Sequence, residues 1–244
     1  MLKKPLKYCS FKTYILLFTV YCSLFTVLSC APKAAPPPMY KDINLSLEEV
    51  ITIAQRDINV LKTVAGINIE KNDKPYSYVD ALILLKKPGW LHIRLYKFGI
   101  MVGNYLIKED AVYIISGKEG SKFREFGKEL YSSIFWWEGL ENASMYKEDT
   151  EYIIMAKNKE IRLNKATLLP KNQEIIVNSR KISILYDKPV EKVFSVPEEQ
   201  HQSGFWYPSE VKIESGAYKF TVTVEKLYIN PVLGENDFNS LGKE

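Results

Sequence analysis

The chain has 244 residues, of which 46% are hydrophobic and 13% aromatic. This composition is typical of a folded globular protein, and it excludes a disordered tail or a collagen-like repeat. Lysine and arginine total 33 against 29 aspartate and glutamate, a formal net charge of +4. The first 29 residues hold four lysines and no acid, so the rest of the chain is balanced at 33 − 4 = 29 basic against 29 acidic residues. This balance argues against nucleic acid as a partner.

The N-terminal segment has the layout of a bacterial secretory signal. Its lysines precede an uncharged apolar run over residues 14–28, which is shorter than the roughly 20 residues needed to span a bilayer. The run ends in Val27-Leu28-Ser29-Cys30, which resembles a lipobox. This resemblance implies cleavage before Cys30 and a diacylglycerol group, with fatty acyl chains such as palmitate, on its thiol. Residues 1–29 are therefore predicted to be a lipoprotein signal peptide, with an uncleaved anchor or an ordinary signal peptide as alternatives.

Residues 30–43 are predicted to be the acylated cysteine and a tether. The stretch Ala31-Pro32-Lys33-Ala34-Ala35-Pro36-Pro37-Pro38 favours extended, polyproline-like chain and cannot pack a core. Cys9 and Cys22 fall in the removed segment, so the mature chain has no disulfide and no free thiol. The residue after Cys30 is Ala31 rather than aspartate, which by resemblance to enterobacterial lipoproteins implies sorting to the outer membrane. We predict a lipid-anchored protein on the periplasmic face of that membrane.

A single domain is predicted over residues 44–244, and it opens with a helix. Ser46-Leu47-Glu48-Glu49 has the pattern of a capping box, in which the serine and the second glutamate satisfy each other's backbone N–H groups. Apolar residues then recur at steps of three and four over residues 47–65, and Gly66 ends the run. This spacing predicts one amphipathic helix of about 18 residues.

From Ile67 onward the apolar period changes to two, which is typical of strands that bury one face. Turn residues such as Lys87-Pro88-Gly89 and Ser215-Gly216 separate the runs. The pattern contains no regular strand–helix–strand units, so we expect a mainly β (α+β) antiparallel fold. Strands are predicted over 64–71, 78–85, 90–97, 100–107, 111–116, 152–156, 160–163, 175–177, 182–186, 209–213, 217–225 and 227–229.

One segment rich in aromatic residues interrupts the strands. Its apolar residues recur at helical spacing: Phe126, Leu130, Ile134 and Trp137. The spacing predicts a short amphipathic helix, which is either a second core helix or a mobile lid over an apolar cavity. Phe135, Trp136 and Trp137 are consecutive, and a helix separates neighbours by about 100°. At least one of them is then expected to lie exposed or to face a cavity or a membrane, so we predict a lid or membrane contact here.

Residues for catalysis or metal binding are sparse. The chain has two histidines, His92 and His201, and no HExxH motif, which argues against a catalytic zinc site. Gly99-Ile100-Met101-Val102-Gly103 lacks the spacing of a phosphate-binding loop, and no G-x-S-x-G sequence is present. We therefore predict a protein with no cofactor and no metal that is not an enzyme.

The order of these elements resembles the LolA/LolB family of lipoprotein carriers and acceptors, over roughly residues 45–241. Four groups of stretches carry the resemblance: 61–69 at the helix exit, 86–94 at a strand entry, 168–173 with 182–186 in a hairpin, and 207–213 with 227–231 and Phe238 at the C-terminus. The resemblance implies an open, strongly curved antiparallel β half-barrel with an N-terminal amphipathic helix and a short helical lid.

The function that the resemblance implies is binding of lipid acyl chains or lipoprotein cargo in an apolar cavity. It extends to outer-membrane lipoprotein insertion and to a soluble periplasmic carrier as partner. The apolar strand faces supply candidate lining residues, which otherwise fill a closed core: Leu91, Ile93, Leu95, Ile182, Ile184, Val211, Ile213, Phe220 and Val222. The alternative function is a structural or assembly lipoprotein that uses the same fold as a protein-interaction module.

Overall fold

The computed structural model describes residues 37, 39, 44–55, 58–108, 111–117, 121–140, 142–177, 179–196, 201–234 and 237–238. All of them belong to one unit of the chain, Pro37–Glu244. The predicted signal peptide over 1–29 and the predicted lipidation site Cys30 lie outside the described residues. Of the predicted tether over 30–43, only Pro37 and Met39 lie within them.

Two helices and twelve strands form in the described part of the chain. In chain order they are α1 (Leu47–Gln55), β1 (Val60–Lys71), β2 (Lys74–Lys86), β3 (Trp90–Lys97), β4 (Ile100–Lys108), β5 (Ala111–Ser116), α2 (Ser121–Ile134), β6 (Ser144–Lys147), β7 (Glu151–Ala156), β8 (Lys159–Asn164), β9 (Pro170–Val177), β10 (Arg180–Val196), β11 (His201–Ser215) and β12 (Tyr218–Ile229).

The strands form one antiparallel sheet in the order β5-β4-β3-β2-β1-β12-β11-β10-β9-β8-β7-β6. The first and last strands of the chain's sheet, β1 and β12, pair with each other at its centre, while β5 and β6 form its two edges. The sheet is open and strongly curved, with few helices. The predicted mainly β half-barrel with an N-terminal helix is confirmed.

Helix α1 begins at the predicted capping box. The backbone N–H of Ser46 donates to the Glu49 carboxylate at 2.7 Å, and the Glu49 N–H donates back to the Ser46 hydroxyl at 3.3 Å. Leu45 and Val50 are buried on either side of the cap and pack into the main core. These two contacts fix where the helix starts and how it enters the core.

The predicted helix is too long, because the chain is extended from Val60 onward. Helix α1 ends at Gln55, and β1 pairs with β2 on one side and with β12 on the other. Leu61 and Ala65 fit a helical stripe, but each also lies two positions from the buried Thr63, on one face of a strand. Backbone pairing on both edges decides in favour of the strand, since it satisfies every N–H and C=O of a buried segment.

The concave face of the sheet carries the main core. On the central strands its buried members alternate along the chain, as in Ala81, Ile83 and Leu85 of β2. A smaller cluster lies on the opposite face, where Phe238 packs with Leu84 and Leu106. The C-terminal segment therefore covers part of the outer face.

The aromatic segment is helical only as far as Ile134. Phe135, Trp136 and Trp137 follow the helix as a turn, in which the Glu138 N–H donates to the Phe135 carbonyl at 3.0 Å. The 100° spacing therefore does not apply to these three residues, and all of them are buried. We call residues 135–137 the aromatic turn.

Phe135 and Phe98 offer a matched test of this packing. Phe135 is fully buried, whereas Phe98 is 90% exposed at the β3–β4 turn. We expect Phe135→Ala to lower the free energy of unfolding by about 3–5 kcal/mol because it leaves a large cavity. Phe98→Ala should change it by less than about 0.5 kcal/mol. Urea denaturation of both variants measures the difference, and equal effects would contradict the burial of the aromatic turn.

Candidate functional site

An apolar cavity lies between the concave face of the sheet and the two helices. Its empty volume is about 1040 Å³, a figure that includes open solvent at its mouth. The floor is formed by β1, β2, β11 and β12 through Leu61, Thr63, Ile83, Leu85, Val211, Val222, Val224 and Leu227. The walls come from α1, α2, the aromatic turn, the β8–β9 turn and the start of β11.

Two polar side chains that line the cavity, Thr63 and Ser133, are bonded to the backbone. The Thr63 hydroxyl donates to the Lys226 carbonyl at 2.9 Å, and the Ser133 hydroxyl donates to the Leu130 carbonyl at 2.7 Å. Their hydrogen-bonding capacity is therefore directed into the protein. Most of the remaining surface is methyl, methylene and aromatic, so the site favours a ligand that is itself apolar.

Hydrogen bonds fasten the end of α2 to the β2–β3 turn. The Gly89 N–H donates to the Tyr131 hydroxyl at 2.8 Å, and that hydroxyl donates to the Glu138 carboxylate at 2.6 Å. Burial raises the pKa of Tyr131, and the hydrogen bond to Glu138 raises it further, so the hydroxyl remains a donor. This chain of bonds holds the helix end over the cavity.

Two lysines hold the aromatic turn. The Lys159 ammonium, at the start of β8, donates to the Trp136 carbonyl at 2.9 Å and to the Glu138 carbonyl at 3.4 Å. The Lys87 ammonium lies 5.5 Å from the ring centres of both Phe135 and Trp137, a cation–π geometry. The turn is thus fastened to both halves of the sheet by contacts that do not fill the cavity.

The indole N–H of Trp137 has no acceptor among the described residues, although it is buried. The ring itself is well packed, with centroids 5.5 Å from Trp136 and 5.6 Å from Phe135 in edge-to-face geometry. A buried N–H without a partner costs roughly 1–3 kcal/mol. The closed turn is therefore less stable than its aromatic packing alone implies.

A hairpin arm closes another side of the cavity. Beyond Leu185 in β10 and before Glu210 in β11, these two strands pair only with each other among the described residues. In this arm Phe205 is buried in the main core and its ring stacks on Tyr207 at 6.2 Å. The wall that the arm contributes to the cavity consists of Phe205, Trp206, Tyr207 and Pro208.

The structure places the predicted site residues in two groups. Val211, Val222, Trp136 and Trp137 line the cavity. The other predicted residues belong to the surrounding core without lining the void: Leu91, Ile93, Ile182, Ile184, Ile213 and Phe135 are buried, and Leu95 and Phe220 are partly buried against them. Their roles in ligand binding remain predictions.

Several lining residues were not predicted from the sequence. They come from α1, through Ile53 and Ala54, from the β8–β9 turn and from the hairpin arm. The aromatic run Phe205-Trp206-Tyr207 is the one signal in the sequence that marks the arm. The turn and the helix residues have no distinguishing pattern, because only the tertiary fold brings them to the cavity.

A second feature missed in the sequence is an exposed apolar tip at the β3–β4 turn. Phe98 and Ile100 are 90% and 70% exposed, and Met101 and Val102 beside them are also exposed. The Lys97 ammonium lies 6.0 Å from the Phe98 ring centre. Exposed apolar side chains next to lysine are typical of segments that enter the interface of a bilayer.

The described residues contain no helix long and apolar enough to cross a membrane. They also bring together no group of three His, Cys, Asp or Glu side chains that could hold a metal ion.

No family model and no curated protein matches the sequence, but solved structures match the fold. A LolA superfamily protein from Nitrosomonas europaea superposes with a TM-score of 0.52, at 10% identity over 80% of this chain and 98% of that one. A DUF1329 family protein from Desulfovibrio piger superposes with a TM-score of 0.51, at 11% identity over 79% of this chain and 95% of that one. The fold of this protein is LolA/LolB-like, as the resemblance in the sequence implied.

Proposed function

We propose that this protein is a membrane-anchored lipoprotein that holds lipid acyl chains, or the acyl chains of lipoprotein cargo, in its apolar cavity. The observation that carries the proposal is the cavity itself, whose floor and walls are mainly apolar and whose Thr63 and Ser133 hydroxyls are bonded to the backbone. No reaction is part of this function, because binding requires only the removal of apolar surface from water.

The energetics of chain burial support this proposal. Each methylene removed from water contributes roughly 0.8 kcal/mol, so ten buried methylenes contribute about 8 kcal/mol before the cost of association. An acyl chain is flexible and uniform, and so it can follow an irregular apolar wall built from several elements. The LolA/LolB-like fold of the chain is consistent with such a ligand.

The proposed location is the periplasmic face of the outer membrane. The lipobox-like stretch ending at Cys30 supports a lipid anchor, and Ala31 supports release to the outer membrane. There the protein would receive cargo from a soluble periplasmic carrier and take part in lipoprotein insertion. The exposed tip at Phe98 and Ile100 supports contact with a lipid surface during that step.

The cavity can be blocked from α1 without touching the sheet. Ala54 lines the cavity, whereas Thr52 is exposed on the same helix. We expect Ala54→Trp to weaken binding of a fluorescent fatty acid at least about tenfold, because the indole displaces several methylenes at roughly 0.8 kcal/mol each. Thr52→Trp is the matched control and should bind normally.

Native mass spectrometry of the chain from residue 30, carrying Cys30→Ser, tests the same point independently. Lipid or lipopeptide that copurifies with this chain should be lost in Ala54→Trp. If the parent chain carries no lipid and takes up no fatty acid, the alternative function of a protein-interaction module with a filled cavity is favoured.

The anchor has a direct test. Cys30 is the only cysteine that remains after residue 29, so Cys30→Ser should release the protein from membranes into the soluble fraction. Fractionation after an alkaline carbonate wash measures this release. Retention of the variant in the washed membranes would contradict lipid anchoring at Cys30.

The exposed tip is expected to bind vesicles even when the lipid anchor is absent. In the chain from residue 30 with Cys30→Ser, Phe98→Ser combined with Ile100→Ser should reduce sedimentation with phosphatidylethanolamine–phosphatidylglycerol vesicles by at least about tenfold, since two exposed apolar groups no longer enter the bilayer. The matched control replaces Ile176 and Leu185, which are exposed elsewhere on the sheet, with serine. An equal loss in both pairs would show that the tip has no special role.

A further inference from the structure

A second depression adjoins the cavity and shares the β8–β9 turn and Pro208 with it. Its empty volume is about 680 Å³, and it is open to solvent. Its apolar surface comes from the Tyr186 ring, Leu169 and three prolines, Pro170, Pro189 and Pro208. Lys171 and Asp187 supply charge at its margin. We call this depression the proline groove.

The walls of the proline groove are held by local hydrogen bonds. The Asn164 side chain accepts from the backbone N–H groups of Ala166 and Thr167, each at 3.0 Å, and so fixes the β8–β9 turn. On the arm, the Ser209 hydroxyl donates to the Lys188 carbonyl at 2.8 Å. A groove with rigid walls loses little entropy when a ligand binds.

A residue of the chain's own N-terminal segment borders the groove. Pro37 lies against the groove, in a stretch of alanine and proline. Such a stretch favours the extended polyproline conformation. Because the free chain is already restricted to this conformation, it loses little conformational entropy when it binds. Grooves lined by aromatic side chains are a recurring recognition surface for chains of this kind, and the Tyr186 ring supplies such a side chain here.

We propose that the proline groove binds an extended, proline-containing peptide, namely the segment that follows the lipid-bearing cysteine of a bound lipoprotein. This inference rests on the proposed acyl-binding function. The cavity and the groove share Thr167, Leu169, Pro170 and Pro208, so one ligand can place its acyl chains in the cavity and its peptide in the groove. The protein's own tether, at Pro37, competes for the same surface.

The competition by the tether makes the groove testable. A segment attached by a short flexible linker has an effective concentration of about millimolar, so a free peptide at micromolar concentration cannot displace it. We compare two forms of the chain from residue 30 with Cys30→Ser. One keeps the native tether, and the other carries Pro36→Gly, Pro37→Ser and Pro38→Gly. The probe is a fluorescent peptide with the sequence of residues 31–38.

We expect the probe to bind the chain with the altered tether at least about tenfold more tightly than the chain with the native tether. A probe with each proline replaced by alanine should bind neither form. In the altered-tether chain, Tyr186→Ser should remove the binding, whereas Tyr186→Phe, which keeps the ring, should preserve it. The Tyr186 hydroxyl donates to buried Gln173 at 2.7 Å, so the melting temperatures of the variants are compared to check that each is folded. Replacement of the exposed Pro189 in Pro189→Ser provides a second groove variant.

Uptake of a fluorescent fatty acid separates the two levels of the proposal. If the fatty acid binds but the probe binds neither form, or if alanine replaces proline in the probe without loss, the groove assignment is overturned while the acyl-binding function stands. If folded chain takes up no fatty acid, the acyl-binding function fails. Probe binding that survives both Tyr186→Ser and Pro189→Ser places the peptide elsewhere and also overturns the assignment.

Discussion

The structure depends on one constraint, which is that a single curved sheet must bury its whole concave face. In a closed barrel the strands on opposite sides cover each other, but here β5 and β6 are edges and the sheet stays open. The cover must come from α1, α2, the aromatic turn and the hairpin arm. These elements are separate segments of the chain, and they do not fill all of the space beneath them. The space that they leave is the cavity.

The way in which the cover is held explains why that space persists. The aromatic turn is fastened by Lys159 to backbone carbonyls and by Lys87 to two rings, and the end of α2 is fastened through Tyr131. Such contacts position the cover without adding apolar volume beneath it. An ordinary core is instead packed to the density of a crystal. The polar contacts therefore close the cavity without filling it.

The fold was largely predictable from the sequence, because strand alternation and turn residues act locally. The exceptions have physical causes. The apolar positions over residues 58–65 fit both the helical and the strand period. Backbone pairing with β12 makes the segment a strand from Val60 onward. The predicted strand ended at Tyr186. Pro189 and the charged residues beside it are unusual in a strand, but β10 pairs with β11 as far as Val196. Strand β6 was missed because it has only four residues at an edge.

The site was less predictable, because alternation shows which side chains face inward but not which of them border a void. Ile93 and Val222 have the same pattern in the sequence, but the first is surrounded by packed side chains and the second faces the cavity. The difference arises from elements distant in sequence, such as the arm residue Phe205. A void forms where the side chains of the covering elements do not reach the sheet. Its position therefore depends on the lengths and attachments of those elements. Lining residues therefore follow from the tertiary fold, while the apolar character of the face follows from the sequence.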